Sequence, residues 1–217
     1  MITELSNGGE YLAVGTYEIT HANILESGKK LFLKNGYERT NLRELCKGAG
    51  ITTGAFYRHF EDKAALFAAL VEPAIAGLRE KYDLAESKST DYIVSDNMDD
   101  LWSISTETMA QFIDYIFAHF DSFKLLLRCA DGTKYVDFTD WMVEQEVNDT
   151  LKMYEMLEDK GISFKRLTKK ELHMLNHAYY SCIFETVLHG YDKNEALQYT
   201  HTLAEFFTSG WRTVHGL

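Results

Sequence analysis

Residues 40–60 read TNLRELCKGAGITTGAFYRHF, and this stretch limits the fold more than any other. Asn41 can cap a helix, with Glu44 three residues on in a variant of the capping box. Leu42, Leu45, Cys46 and Ala49 then share one helical face. Gly50 supplies a turn, Ile51 plugs the angle between two helices, and a second short helix is expected over Thr52–His59. Ala55 and Phe56 pack inward on it, which leaves Thr53, Gly54, Tyr57 and Arg58 outward. Two short helices joined by a glycine turn form a helix-turn-helix, whose second helix lies in a DNA major groove.

The flanking sequence is helical throughout. Ile24, Leu25, Gly28, Leu31 and Phe32 lie on one face of a preceding helix, which Asn35-Gly36 ends. Residues 1–17 contain Gly8, Gly9 and Gly15, with Glu4 and Glu10 but no Lys or Arg. They are expected to form a flexible arm that contributes little to phosphate binding. Lys63 opens a long helix expected to reach Tyr82, kinked at Pro73, the single proline in 217 residues. The polar, serine-rich Asp83–Asp96 reads as a loop or frayed turn. Further helices are expected at Asp99–Phe120, Ser122–Cys129, Tyr135–Lys160, Lys169–His189 and Lys193–His215. The fold class is therefore all-α: a helix-turn-helix domain over residues 18–66 and a helical regulatory domain over 67–217. The last two helices carry long stripes, mostly apolar, Leu172, Leu175, Tyr179, Ile183 and Val187 on one, and Leu197, Thr200, Leu203, Ala204, Phe207 and Trp211 on the other. Such stripes fit a four-helix interface with a second copy, mainly through residues 168–215, and equally a core within one chain.

Charge separates the two regions. The chain carries a net charge of −11, yet Thr20–Lys63 holds eight Lys and Arg against five Asp and Glu, a surplus of three that leaves −14 for the remainder. Phosphates repel the acidic body, so only the basic module should approach DNA. Three cysteines without CxxC spacing suit free thiols in a reducing compartment. The first residues lack the basic start and long apolar run of a secretion signal, and Ala64–Val71 is too short to span a bilayer. A cytoplasmic protein without a cofactor is expected.

The N-terminal segment resembles the TetR family of bacterial transcriptional regulators. The matching residues include Ile24-Leu25-Glu26, Leu31-Phe32, Asn35-Gly36-Tyr37, Thr40, Leu45, Ala49-Gly50-Ile51, Gly54, Phe56-Tyr57, His59-Phe60, Lys63 and Leu66. The resemblance covers about Ile19 to Leu70, and a weaker one touches Glu205-Phe206-Phe207 and Gly210-Trp211. It implies an all-helical homodimer whose two modules enter successive major grooves of a palindromic operator. It also implies a C-terminal pocket where a small-molecule inducer changes the spacing of the modules. Carried over by position, Thr40, Tyr57 and Lys63 are phosphate contacts, and His59 is a further backbone contact. Arg43, Thr53, Ala55 and Arg58 are base or near-base contacts. Arg can bond guanine O6 and N7 together, and Thr and Ala can meet a thymine methyl; Gly54 permits close approach.

For the pocket, the aromatic Trp102, Phe112, Trp141 and Tyr180 and the polar Gln145, Asn148 and His177 are the candidate lining residues, with Asn176 and Glu185 as further candidate orienting groups, since such sites pair apolar walls with a few polar groups. His173 and His177 stand at i, i+4, a spacing that can share a metal. Cys182 falls on a different face from His177, however, and no HExxH accompanies them, so no metal site is assigned. Two other classes remain. A zinc hydrolase built on His173 and His177 lacks a general base, a phosphate loop and a GxSxG elbow. A helical interaction protein without DNA binding predicts no salt-dependent affinity for DNA.

Overall fold

The computed structural model describes the backbone of residues 7–94 and 98–216, and the side chains of 16–93 and 108–216. Nine helices and no strands occur among the described residues: α1 (Asn7–Asn35), α2 (Leu42–Gly48), α3 (Thr53–Phe56), α4 (Lys63–Val94), α5 (Met98–Ala118), α6 (Phe120–Arg128), α7 (Phe138–Asp159), α8 (Lys169–Leu188) and α9 (Lys193–His215). The all-α expectation is met. None of these helices is long and apolar enough to cross a membrane.

The helix ends follow local chemistry. Asn41 accepts from the Arg43 N–H, Thr52 from the Ala55 N–H. Thr168 with Glu171 and Asp192 with Glu195 form complete capping boxes at α8 and α9. Gly36 and Gly50 adopt positive φ, the backbone state that ends α1 and turns α2 into α3.

In the N-terminal module Ile24, Phe32, Leu45, Phe56, Leu66 and Phe67 are fully buried. Helices α1 and α4 cross closely at Gly28, where a β-carbon would run into the Leu66 side chain. The same core continues through Val71, Ala74 and Leu78 of α4 to Ile113, Phe123, Val143 and Phe184 in the body. There α5 packs along α9, and α7 along α8.

Two expectations about α1 and α4 are corrected. The arm proposed for residues 1–17 is helical from Asn7, so α1 starts well before its apolar period begins. Asp83–Asp96, read as a loop, is helical as far as Val94. Its polar composition hides Ala85, Ser89 and Ile93 at i, i+4 and i+8, a stripe that faces an interior cavity. The α-helical backbone of α4 also runs unbroken through Pro73. Its middle is gripped from the side: the Ser122 hydroxyl donates to the Leu70 carbonyl (2.8 Å), and Tyr115 Oη donates to that of Ala74 (3.0 Å). Tyr115 can come so close because it lies against Gly77, where a β-carbon would collide with its hydroxyl.

Candidate nucleic-acid interface and interior cavity

The turn Gly36–Thr40 decides where α2 begins, and Lys63 organises it. The Lys63 ammonium donates to the carbonyls of Tyr37 (2.7 Å) and Thr40 (3.1 Å) and lies 4.1 Å from the centre of the Tyr37 ring. Burial lowers its pKa, opposed by the nearby Glu38. Thr40 is only 3% exposed, and its hydroxyl donates to the Gly36 carbonyl (2.7 Å). Both side chains, expected at phosphates, are instead engaged inside the module. His59 is turned inward as well. Its ring stacks on Tyr17 of α1 with centroids 4.1 Å apart, and its Nδ1 is buried without a partner. Burial and the neighbouring His21 and Arg58 push its pKa down, against Glu18.

The other residues named for DNA contact lie on the outward face or part-way into it. Tyr57 is 55% exposed, and Arg43, Gly54 and Arg58 are exposed or partly so. Thr53 and Ala55 are half-buried at the start of α3. Nothing but Thr52 Oγ1, at 3.9 Å, approaches the missing β-carbon of Gly54, so that side of α3 is open. Helix α3 itself is shorter than Thr52–His59: Thr52 caps it, and Tyr57 is the C-cap. Lys47, in the last turn of α2, is an exposed cation that the sequence argument did not select.

The module is tied to the body through the turn after α1. The Tyr37 N–H donates to the Cys129 carbonyl at the end of α6 (2.9 Å), and Gly132 lies against the Glu38 side chain. Close by, Tyr135 and Lys134 both donate to Glu72 of α4 (2.6 and 2.9 Å), which holds the Glu72 carboxyl below its usual range. Burial and the same carboxylate push the Tyr135 phenol up to about 12.

Between α4, α5, α7, α8 and α9 lies a cavity of about 360 Å³. Phe112 and Tyr180 line it, as the sequence suggested; Trp141, Gln145, Asn148 and His177 do not. Trp141 takes part in packing beside Phe138 and under Arg79, while Gln145, Asn148 and His177 point away from it on the outer faces of α7 and α8. Trp102 lies outside the residues whose side chains are described. The polar group that sequence reasoning missed is Glu146. Tyr82 Oη (2.7 Å) and Tyr180 Oη (3.0 Å) both donate to its Oε2. A signal existed: Met142, Val143, Glu146 and Val147 fall at i, i+1, i+4 and i+5, which puts a carboxylate on the apolar stripe of α7.

His173 and His177 stand one turn apart on α8. Their rings are 6.3 Å apart, and His173 Nδ1 meets Glu144 Oε1 at 3.2 Å. Among the described residues, no three His, Cys, Asp or Glu side chains are grouped to hold an ion.

Comparison with known proteins follows the same division. Residues 24–70 match the family model described as bacterial regulatory proteins, tetR family. The HTH-type transcriptional regulator TtgR of Pseudomonas putida is 41% identical over 64 residues, 30% of this chain and 29% of that protein. AcrR of Shigella flexneri is 39% identical over 61 residues, 28% of each. The chain thus spans under a third of the length of these relatives. The solved structures reach further. A transcriptional regulator from Aquifex aeolicus aligns with a TM-score of 0.59 at 16% identity over 87% of this chain and 99% of its own. PfmR of Thermus thermophilus does so with 0.57 at 18%, over 86% and 97%. At such identities the likeness is one of fold. The sequence match is confined to the helix-turn-helix segment, residues 24–70, which is that of the tetR family of bacterial regulatory proteins, and the likeness that runs on through the body is one of fold.

Proposed function

We propose that this chain is a homodimeric repressor that binds a palindromic operator and is released from it by a small molecule held in the interior cavity. The observation that carries the reading is the outward strip of α2 and α3. Arg43, Tyr57 and Arg58 stand on the outer surface of the basic module, around an open Gly54 and beside Thr53 and Ala55. In this reading residues 18–66 dock in the major groove, with those six residues and Lys47 facing DNA. Thr40, His59 and Lys63 hold the module in shape behind them. Residues 67–217 regulate, in a cytoplasmic protein.

Dimerisation is assigned to residues 168–215. Met174 of α8 and Phe206 of α9 are 63% and 70% exposed, and Tyr199 is also uncovered. Large apolar side chains at this exposure on two neighbouring helices suit an isologous contact with the same helices of a second copy. The cavity wall includes Leu78, Tyr82 and Ile93 of α4, whose first residue is Lys63. A ligand there acts on the same helix that positions the module.

The test is selection of preferred sites from a random DNA pool, with binding measured at two salt concentrations. Recovery of a palindrome bound with steep salt dependence supports the reading. Failure of the folded, ligand-free protein to enrich any sequence defeats it.

A further inference from the structure

We infer that the cavity takes an organic cation: a largely apolar, aromatic-bodied molecule whose protonated or quaternary nitrogen pairs with the Glu146 carboxylate. The inference rests on the ligand-responsive reading above and names the chemistry of its ligand.

The wall is mainly hydrocarbon and aromatic, with Met109, Phe112, Ile183, Phe184, Phe207 and Trp211 among its members. A carboxylate on such a wall is costly unless something answers it. Tyr82 and Tyr180 answer half of it. Both donate to Oε2, which leaves Oε1 for a ligand. The rest of the lining deepens the imbalance. Glu86 and Asp149 also face the cavity, and among the described residues its one lysine or arginine is Lys152. That ammonium is already engaged, 2.6 Å from Asp149 and 3.6 Å from Glu86. The lining histidine, His215, is engaged at both ring nitrogens, by Tyr154 Oη and by the Trp211 carbonyl. A positive charge entering the cavity therefore meets a half-answered carboxylate and a surplus of acid. The ring faces around it add the attraction of aromatic quadrupoles for cations.

A second observation points to a ligand independently. Asn176 lines the same cavity and is 4% exposed, yet its Nδ2 has no hydrogen-bond partner. A buried donor left open is unusual in a finished core. It offers a place for an ether or carbonyl oxygen on the ligand body, and together with Glu146 it fixes two points of attachment. Burial, reinforced by Asp149 and Glu86, pushes the Glu146 carboxyl upward, a penalty that a bound cation relieves.

The test uses three probes that share one diphenylpropyl body and differ in charge: 3,3-diphenylpropyltrimethylammonium, 4,4-diphenylbutanamide and 4,4-diphenylbutanoate. Each is titrated calorimetrically into the full chain without DNA, so the result is independent of whether an operator is found. The ammonium should bind about tenfold tighter than the amide, and the carboxylate more weakly than either, since one contact between opposite charges and the attraction of ring faces for a cation separate them. Glu146→Gln should cost the ammonium about tenfold or more and leave the amide within about threefold. Lys152→Ala, at the exposed rim, should tighten the ammonium, which keeps the charge argument testable if the Gln variant does not fold. The inference is overturned if the amide or the carboxylate binds as tightly as the ammonium. It is equally overturned if Glu146→Gln keeps full ammonium affinity, or if no probe binds the folded chain.

Discussion

Lys63 and Tyr37 are joined twice, by an ammonium-to-carbonyl hydrogen bond of 2.7 Å and by the ring face 4.1 Å away. The contact fastens the first residue of α4 to the turn that starts α2, across 26 positions of sequence. It explains why a lysine expected at a phosphate is instead partly buried.

Replacing it tests that role. Lys63→Met keeps the stem but removes the donors, and the Tyr37 and Thr40 carbonyls lose their charged partner. The variant should be destabilised by roughly 2 kcal/mol, the typical worth of hydrogen bonds to a charged group, read by urea unfolding. A variant as stable as the parent would return Lys63 to the DNA surface.

Tyr57→Ala and Arg58→Ala change exposed side chains, so melting temperature and oligomeric state should stay as they are. Operator affinity should fall by roughly tenfold to a hundredfold for Arg58→Ala if it reads a base edge. If it meets a phosphate, the salt slope should drop by about one. Anisotropy titrations at several salt concentrations separate these cases, and unchanged binding by both variants rejects the proposed docking.

Glu146 makes a pH prediction with a definite sign. Burial raises its folded-state pKa above the ordinary 4.5. The folded state then holds the proton more tightly than the unfolded chain. That contribution is fully present below 4.5 and is lost as pH rises through the raised value. Glu146→Gln cannot titrate. Its melting temperature should gain on the parent's as pH climbs from 4.5 through the raised value, in parallel thermal scans. A constant difference between the two proteins contradicts the burial argument.

The Tyr115–Gly77 contact predicts two unequal effects. Tyr115→Phe removes one hydrogen bond to the Ala74 carbonyl and should cost about 1 kcal/mol. Gly77→Ala forces a methyl into the tyrosine hydroxyl, displacing it from α4, and should cost roughly 1–3 kcal/mol as overpacking does. Chemical denaturation of both variants and the double mutant checks the coupling, because the alanine should be better tolerated once the hydroxyl is gone.

The helix-turn-helix was legible because its signals act over a few residues: the Asn41 and Thr52 caps, the Gly50 turn and the buried Leu45 and Phe56. The inward turn of His59 and Lys63 was not, because their partners, Tyr17 and the Tyr37 carbonyl, lie far away in sequence; Thr40 bonds within its own turn, to the Gly36 carbonyl, and the resemblance had placed it at a phosphate instead. The end of α4 was misread for a related reason. Residues 83–94 are polar on average, and only the cavity shows which of them form a wall. On α7 the phase of the helix decides between neighbours. Gln145 and Asn148 face away while Glu146 and Asp149 face the cavity, a distinction that the stripe of Met142, Val143 and Val147 already carried.

The grip that Ser122 and Tyr115 keep on α4 makes that helix a lever with its fulcrum in the middle. From Leu70 to Lys63 is about 10 Å, and from Ala74 to Tyr82 about 12 Å, at about 1.5 Å per residue. Arms this nearly equal give almost no mechanical advantage. A tilt of about 5° shifts each end by about 1 Å in opposite directions for arms of that length, so a displacement of Tyr82 reaches Lys63 at nearly full size and reversed sense. The Tyr37 turn, fastened to Lys63 on one side and to Cys129 on the other, is where that stroke must be taken up.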